Sequence, residues 1–197
     1  MPKNNYGTEA LELLDQLVAH HKWLYQQIDR HIGKRVIEIG AGRGHLTQFY
    51  FDRMELLWLT EIEPDCLDLL KSKYNGSQYI VESLDLTVPP PVEPYRSKEF
   101  DTLLSCNVLE HLEDDEIALA WFSSILPPNG KLILILPSHQ FLYGAIDDYY
   151  RHFRRYNDSM LRRSLEQKNF KIIESFYFGK LGAVAWFFKG RIFRQAV

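Results

Sequence analysis

VIEIGAGRGHLT, residues 36–47, decides the reading of the chain. An apolar, β-branched run (Val36, Ile37, Ile39) meets three glycines in five positions, Gly40, Gly42 and Gly44. The pattern then turns helical through HLTQFYFDR, residues 45–53. Glycine takes left-handed backbone angles and lets a ligand come close to the main chain. The N-terminus of the following helix offers unpaired N–H groups. A dinucleotide site is one reading of such a turn, but its fingerprint needs glycine at the first, third and sixth positions. His45 stands at the sixth, so the small residue that helps seat a pyrophosphate is missing. A tight turn with a purely structural task is the plainer alternative.

Outward from this turn, strands and helices alternate. Residues 8–31 read as one or two helices, with Leu11, Leu14, Val18, Leu24 and Ile28 at helical spacing and Gly33 able to close the end. Strands are expected at 35–40, within 55–65 where the strand ends in acids, within 77–86 and 100–112 as a strand and turn each, and at 131–138 and 170–178, with helices at 65–74, 114–126 and 157–169. The run KLILILPS, residues 131–138, suits a strand covered on both faces. Short connections between alternating elements predict a doubly wound α/β fold with a mainly parallel sheet and helices on both faces. In such sheets a ligand binds beyond the carboxyl ends of the strands, near the switch in strand order.

The bulk numbers fit one domain. The chain has 197 residues, 46% of them hydrophobic, and a formal net charge of −3. That is enough for a sizeable core and gives no global basic field of the kind nucleic-acid binders carry. Cys66 and Cys106 lie far apart, with no metal-ligand spacing and no disulfide framework, so a reduced, cytoplasmic setting and no metal are expected. No apolar run approaches the roughly 20 residues that span a bilayer.

The acids at the strand ends carry the chemistry. Glu61 follows the glycines by about 20 residues, the distance at which a carboxylate reaches ribose hydroxyls in this class of sheet. Capping of the next helix is the bland reading for Glu61 and Glu63. Asp85, in SLDL, can accept from an adenine amino group with Leu84 and Leu86 flanking the ring; alone, such a residue is more often a turn former. Glu38 sits inside the first strand, where a charge is costly unless paired. It suits a ligand ammonium, or it orders the glycine loop by hydrogen bonds. Asn107 ends the fourth strand, with Glu110 and His111 at the rim.

Taken together and in order, VIEIGAGRG, TEIEPD, SLDL, FDTLLSCNVLEHLED and LPPNGKLILILP resemble the class I S-adenosylmethionine-dependent methyltransferases over most of residues 30–175. The resemblance implies S-adenosylmethionine as cofactor and a Rossmann-like methyltransferase fold. It implies that Gly40, Ala41, Gly42 and Gly44 wrap the methionine part, with Glu38 ahead of them. Glu61 and Ile62 would hold the ribose, Leu84 and Asp85 the adenine, and Asn107 would lie near the methionine end. The reaction so implied moves a methyl group to an oxygen or nitrogen of a small molecule.

The segment PSHQFLYGAIDDYYRHFRRYN, residues 137–157, follows the fifth strand, where this architecture places acceptor loops. An aromatic flap with a solvated basic rim is the plain reading. The sharper one is an acceptor pocket with Tyr143, Asp147, His152, Arg154, Arg155 and Tyr156 meeting an anionic or hydroxyl-rich substrate. Its pattern LYG…D…H.RRY resembles a subgroup of these methyltransferases found near glycosyltransferases and lipid-linked glycan genes, which points to a glycan- or lipid-linked acceptor. His152, His111 and His139 are the candidate general bases, because histidine titrates near neutrality.

One domain, 1–197, is expected: an N-terminal helical lid (1–33), a cofactor-binding core (34–136), the acceptor loop (137–157), and a C-terminal helix, strand and apolar helix (158–197). The family's seventh, antiparallel strand is not found. Residues 181–194, apolar with flanking Lys and Arg, suit a core or dimer-packing helix, or an interfacial helix resting on a membrane or a lipid-linked acceptor. Two rival readings stand beside the enzyme: a non-catalytic cofactor-binding subunit of a larger complex, and a nicotinamide-dependent oxidoreductase, against which His45 and TEIEPD speak.

Overall fold

The computed structural model describes residues 18–179. Five strands, β1 (Arg35–Ile39), β2 (Leu56–Glu61), β3 (Tyr79–Ser83), β4 (Thr102–Cys106) and β5 (Lys131–Ile135), form one sheet in the order β3-β2-β1-β4-β5. Every pairing is parallel, with Ile37 opposite Trp58 on one side and Leu103 on the other. The helices are α1 (Val18–Ile28), α2 (Pro64–Lys73), α3 (Asp115–Ile125), α4 (Ala145–Tyr149) and α5 (Asp158–Gln167).

Side chains alternate across a strand, so β1 and its neighbours feed two cores. Ile37, Ile39, Trp58 and Leu103 pack with Leu119, Phe122 and Ile125 of α3 and Leu165 of α5. Val36, Leu57, Leu59 and Leu104 pack with Leu24 and Ile28 of α1 and Leu70 of α2. Full burial of a side chain such as Phe122 contributes about 1.5–3 kcal/mol. The helices start where their first residues can serve the free N–H groups. Pro64 opens α2, Asp114 accepts from Glu116 N at 3.1 Å, and Asn157 accepts from Met160 N at 2.8 Å. The strand order reverses between β1 and β4, which puts the expected ligand crevice at the carboxyl ends of these two strands.

Three expectations need correction. Residues 45–53 do not form an α-helix but two 3-10 turns, Thr47–Phe49 and Phe51–Arg53. Side chains three apart eclipse in that geometry, and Thr47 and Tyr50 thereby both reach the Glu38 carboxylate. Residues 170–178 are not a sixth strand: among the described residues they pair with no other strand. Side-chain contacts hold this segment instead. Glu174 pairs with Arg30 at 2.5 Å, Ser175 donates to Asp158, and the Tyr177 ring stacks on His139 at 4.6 Å. Lastly, β5 is an edge strand among the described residues, and Leu132, Ile133 and Leu134 are only partly buried rather than covered on both faces. The expected helix through 181–194, and with it the membrane and dimer contacts assigned to it, lies outside the described residues, as do residues 1–17 of the expected lid. No helix among the described residues is long and apolar enough to cross a membrane.

Candidate active site

The turn after β1 is a cradle built on left-handed glycines. Gly40, Gly42 and Gly44 all have positive φ, at 67°, 57° and 80°. A Cβ on Gly40 would lie 2.4 Å from Val108 Cγ2, so the loops after β1 and β4 touch at this point. Gly40→Ala is therefore expected to destabilise the protein by about 2 kcal/mol, from left-handed strain and overpacking together. Urea unfolding of the variant checks this; a midpoint equal to that of the parent would mean that the two loops are not in contact. Ala41 N donates to Thr60 O at 2.9 Å, tying the cradle to the end of β2.

Glu38 is 2% exposed and accepts from Thr47 Oγ1 at 2.5 Å and from Tyr50 Oη. Burial pushes its carboxyl up to about 7, against the pull of these two hydrogen bonds and with the Glu61 charge adding to the rise. A carboxyl raised in the folded state binds more protons there than in the unfolded chain. Stability then falls as pH rises from the ordinary value of 4.5 through about 7, a change of about 3 kcal/mol. Glu38→Gln removes that dependence. Urea unfolding of both proteins across this range is expected to show the wild type losing about 3 kcal/mol relative to the variant; parallel curves would disprove it.

Glu61 ends β2, 8% exposed, and faces the cradle. Its Oε2 accepts from Gly42 N at 2.7 Å, and its Oε1 from Ile62 N at 2.7 Å and Glu63 N at 3.1 Å. One carboxylate thus shapes both the glycine turn and the start of the next loop, while the Ile62 side chain is exposed beside it. Asp85 is exposed beyond β3; its Oδ1 accepts from Thr87 N and Oγ1, which holds its carboxyl below the ordinary range. Leu84, half-buried next to it, bonds through its N–H to Glu61 O. Asn107, past β4, is exposed at φ 52°, its N–H bonded to Ile135 O.

Residues 137–157 are more ordered than a loop: a 3-10 turn (Gln140–Leu142) and α4 lie within them. Asp147 is fully buried and accepts from Gly144 N at 3.0 Å, His152 Nδ1 at 3.0 Å and Arg155 Nε at 2.8 Å. Burial alone would raise its carboxyl; the hydrogen bonds from His152 and Arg155 outweigh that and hold it below the usual range. Arg155 also reaches Ser138 O, Arg154 pairs with Asp115 Oδ1 at 2.7 Å, and Tyr156 donates to Asp115 Oδ2. Tyr143 Oη lies 2.6 Å from His152 O. The structure thus finds the predicted substrate residues engaged with one another and with the first turn of α3. His139 sits apart, at φ 65°, between Tyr177 and Phe141.

What the sequence did not bring together is Glu110, His111 and His152. A 3-10 turn, Leu109–His111, follows β4, and Phe153 N donates to Glu110 O at 2.7 Å, which lays the 150s against it. The His111 and His152 rings meet edge to face with centroids 4.7 Å apart. Glu110 is fully buried, and among the described residues neither carboxylate oxygen has a hydrogen-bond partner. Burial lifts its carboxyl to about 8. The surrounding protein first, and His152 second, disfavour a charge on His111. One ligating atom from each of the three residues lies within 4.8 Å of the others.

A family model described as a methyltransferase domain matches residues 26–175. The chain belongs to this methyltransferase family. The methyltransferase is 24% identical over 153 residues to the polyketide synthase component of lovastatin nonaketide synthase from Aspergillus terreus. That match covers 72% of the methyltransferase and 5% of the relative, so the chain spans a small part of the curated proteins it matches. Among solved structures, the CMeT domain of the citrinin polyketide synthase superposes with a TM-score of 0.60 at 15% identity, over 76% of the methyltransferase and 44% of that chain. The trans-methyltransferase CalH, solved with SAH, superposes with a TM-score of 0.58 at 20% identity, over 77% and 51%. These neighbours share the fold, a Rossmann-like class I methyltransferase sheet with helices on both faces.

Proposed function

We propose that the methyltransferase binds S-adenosylmethionine in the crevice between the turn after β1 and the ends of β2, β3 and β4, and transfers its methyl group to an oxygen or nitrogen of a small molecule. The observation that carries this is the glycine cradle, closed by Val108 on one side and by the Glu61 carboxylate on the other. Its three glycines hold left-handed backbone angles that side chains disfavour, which suits a backbone pressed by a methionine moiety, and Glu61 holds an acid where a ribose would lie. Gly42 and Gly44 give the ligand close approach, Glu61 accepts from the ribose hydroxyls, and Leu84 with Asp85 borders the adenine. The cofactor, when bound, supplies a methyl group already activated on a sulfonium. What remains for the protein is to align the acceptor and exclude water.

The 137–157 segment does the aligning. Asp147, Arg155, Arg154 and Tyr156 act as positioning residues, because their polar groups bind within the chain. His111 and His152, whose rings meet edge to face beside exposed Phe153, would face the acceptor. A glycan- or lipid-linked acceptor fits the hydrogen-bonding and aromatic side chains of this segment. The relatives' membership of polyketide synthases supports a second reading, a polyketide acceptor.

Calorimetric titration of the purified chain with S-adenosylmethionine, S-adenosylhomocysteine and NAD tests the cofactor. Micromolar binding of the two sulfur ligands and none of NAD is expected. A folded chain that ignores both sulfur ligands would overturn the proposal, and NAD binding would restore the oxidoreductase.

A further inference from the structure

We propose that Glu110, His111 and His152 form a binding site for a divalent transition-metal ion of the zinc or manganese type, and that the ion's open coordination positions take an oxygen of the methyl acceptor. Three observations lead there. The Glu110 carboxylate is wholly buried with both oxygens unpartnered among the described residues, an arrangement that is expensive unless a cation or donor satisfies it. Two imidazoles from segments 40 residues apart in the chain are brought against it, with ligating atoms within 4.8 Å of one another. Around an ion with bonds of about 2.0–2.2 Å, ligand atoms stand roughly 3–3.6 Å apart, so a small contraction closes the set. Thirdly, His152 is already oriented as metal-binding histidines are. Its Nδ1 is bonded to Asp147, itself buried and held by Arg155, which leaves Nε2 for an ion. The pairing of Phe153 N with Glu110 O fixes the two segments independently of any ion.

The donor set selects the ion. Two nitrogens and one carboxylate suit Zn²⁺, Mn²⁺, Fe²⁺ or Co²⁺; Mg²⁺ and Ca²⁺ prefer oxygen alone, and Cu⁺ prefers sulfur. Three protein ligands leave at least one position open, as in catalytic rather than structural sites. The site lies at the carboxyl end of β4 and against the 137–157 segment. There, an oxygen bound to the ion would have its lone pair oriented and its proton made more acidic. That use of the ion rests on the transferase reading above; the site itself does not.

The test uses the full chain, stripped by chelator and titrated with Co²⁺ without S-adenosylmethionine. One equivalent of Co²⁺ is expected to give visible d–d absorption that Zn²⁺ bleaches. Glu110→Gln and His152→Gln are each expected to weaken Co²⁺ binding at least about 10-fold, and Asp147→Asn about 10-fold through His152. His139→Gln is expected to leave binding unchanged. Circular dichroism of each stripped variant reports whether it is folded; for a variant that is not, Zn²⁺-dependent elevation of the wild-type unfolding temperature supplies the readout. A folded wild type that develops no band, or a band that survives the Glu110→Gln/His152→Gln double variant, overturns the proposal. S-adenosylhomocysteine calorimetry on the same stripped sample fails or succeeds independently, so loss of the metal site and loss of the transferase reading are told apart.

Discussion

Asp147→Ala is expected to destabilise the folded protein by about 3–5 kcal/mol, more than a surface salt bridge could account for. Asp147 is wholly buried and its partner Arg155 is 6% exposed. Removing the carboxylate strands a guanidinium in a place where water cannot take over, and that is the expensive half of breaking a buried pair. The loss spreads along the segment, because the same carboxylate accepts from Gly144 N at the start of α4 and from His152 Nδ1. A second substitution separates the causes. In Asp147→Ala/Arg155→Met no charge is left unpaired, and much of the stability is expected to return. Urea unfolding of the three proteins measures this. Equal losses in the single and double variants would show that the pair's charge is not what matters, and a single-variant loss under about 1 kcal/mol would show that Arg155 finds water. Proteolysis near the exposed Asp148, Arg151 and Phe153 should accelerate in the single variant if the segment detaches before the rest unfolds.

The same pair illustrates what could be read in the sequence and what could not. The sheet was legible because each strand carries its own signal: a short apolar run, a break, then a helix with a cap such as Asp114 or Asn157. The order of motifs from Gly40 to Pro137 then placed the crevice. Where local signals compete with side-chain chemistry, the reading slipped. HLTQFYFDR has helical spacing, but the pull of Thr47 and Tyr50 on Glu38 tightens it into 3-10 turns. FKIIESFYF has strand composition, but a strand needs a ladder partner, and Glu174, Ser175 and Tyr177 are bound to Arg30 just past α1, to Asp158 of α5 and to His139 instead. The residues of LYG…D…H.RRY stand out as a set in the sequence, yet the sequence does not show which way each one points. Only three dimensions show that Arg155 faces Asp147 and Arg154 faces Asp115. That Glu110 and His111 meet His152 has no sequence signal, because residues so far apart in the chain share no ligand spacing. It arises from one long-range backbone bond, Phe153 to Glu110.

Glu61→Ala is expected to weaken S-adenosylhomocysteine binding about 100- to 1,000-fold. A carboxylate that accepts from both hydroxyls of a ribose makes two charge-assisted hydrogen bonds; at the low end of about 1.5–2 kcal/mol each they contribute about 3–4 kcal/mol, which is that range. The residue has a second task, since its oxygens already serve Gly42 N, Ile62 N and Glu63 N. Loss of binding alone would therefore not distinguish contact with the ligand from collapse of the cradle. Adenosine makes the distinction, because it keeps the ribose and lacks the amino-acid part proposed to lie on the glycines. If Glu61 holds the ribose, adenosine loses at least about 10-fold in affinity alongside S-adenosylhomocysteine. If Glu61 only shapes the turn after β1, adenosine binding stays near that of the wild type while S-adenosylhomocysteine binding falls. Calorimetry with the two ligands on wild type and variant reads both numbers. Unchanged adenosine affinity would remove Glu61 from the ribose site and leave it as the strut between β2 and the cradle. An equal loss for both ligands would place the ribose at the end of β2, with the methyl-bearing end of the cofactor then running along the glycines toward β4 and the two histidines.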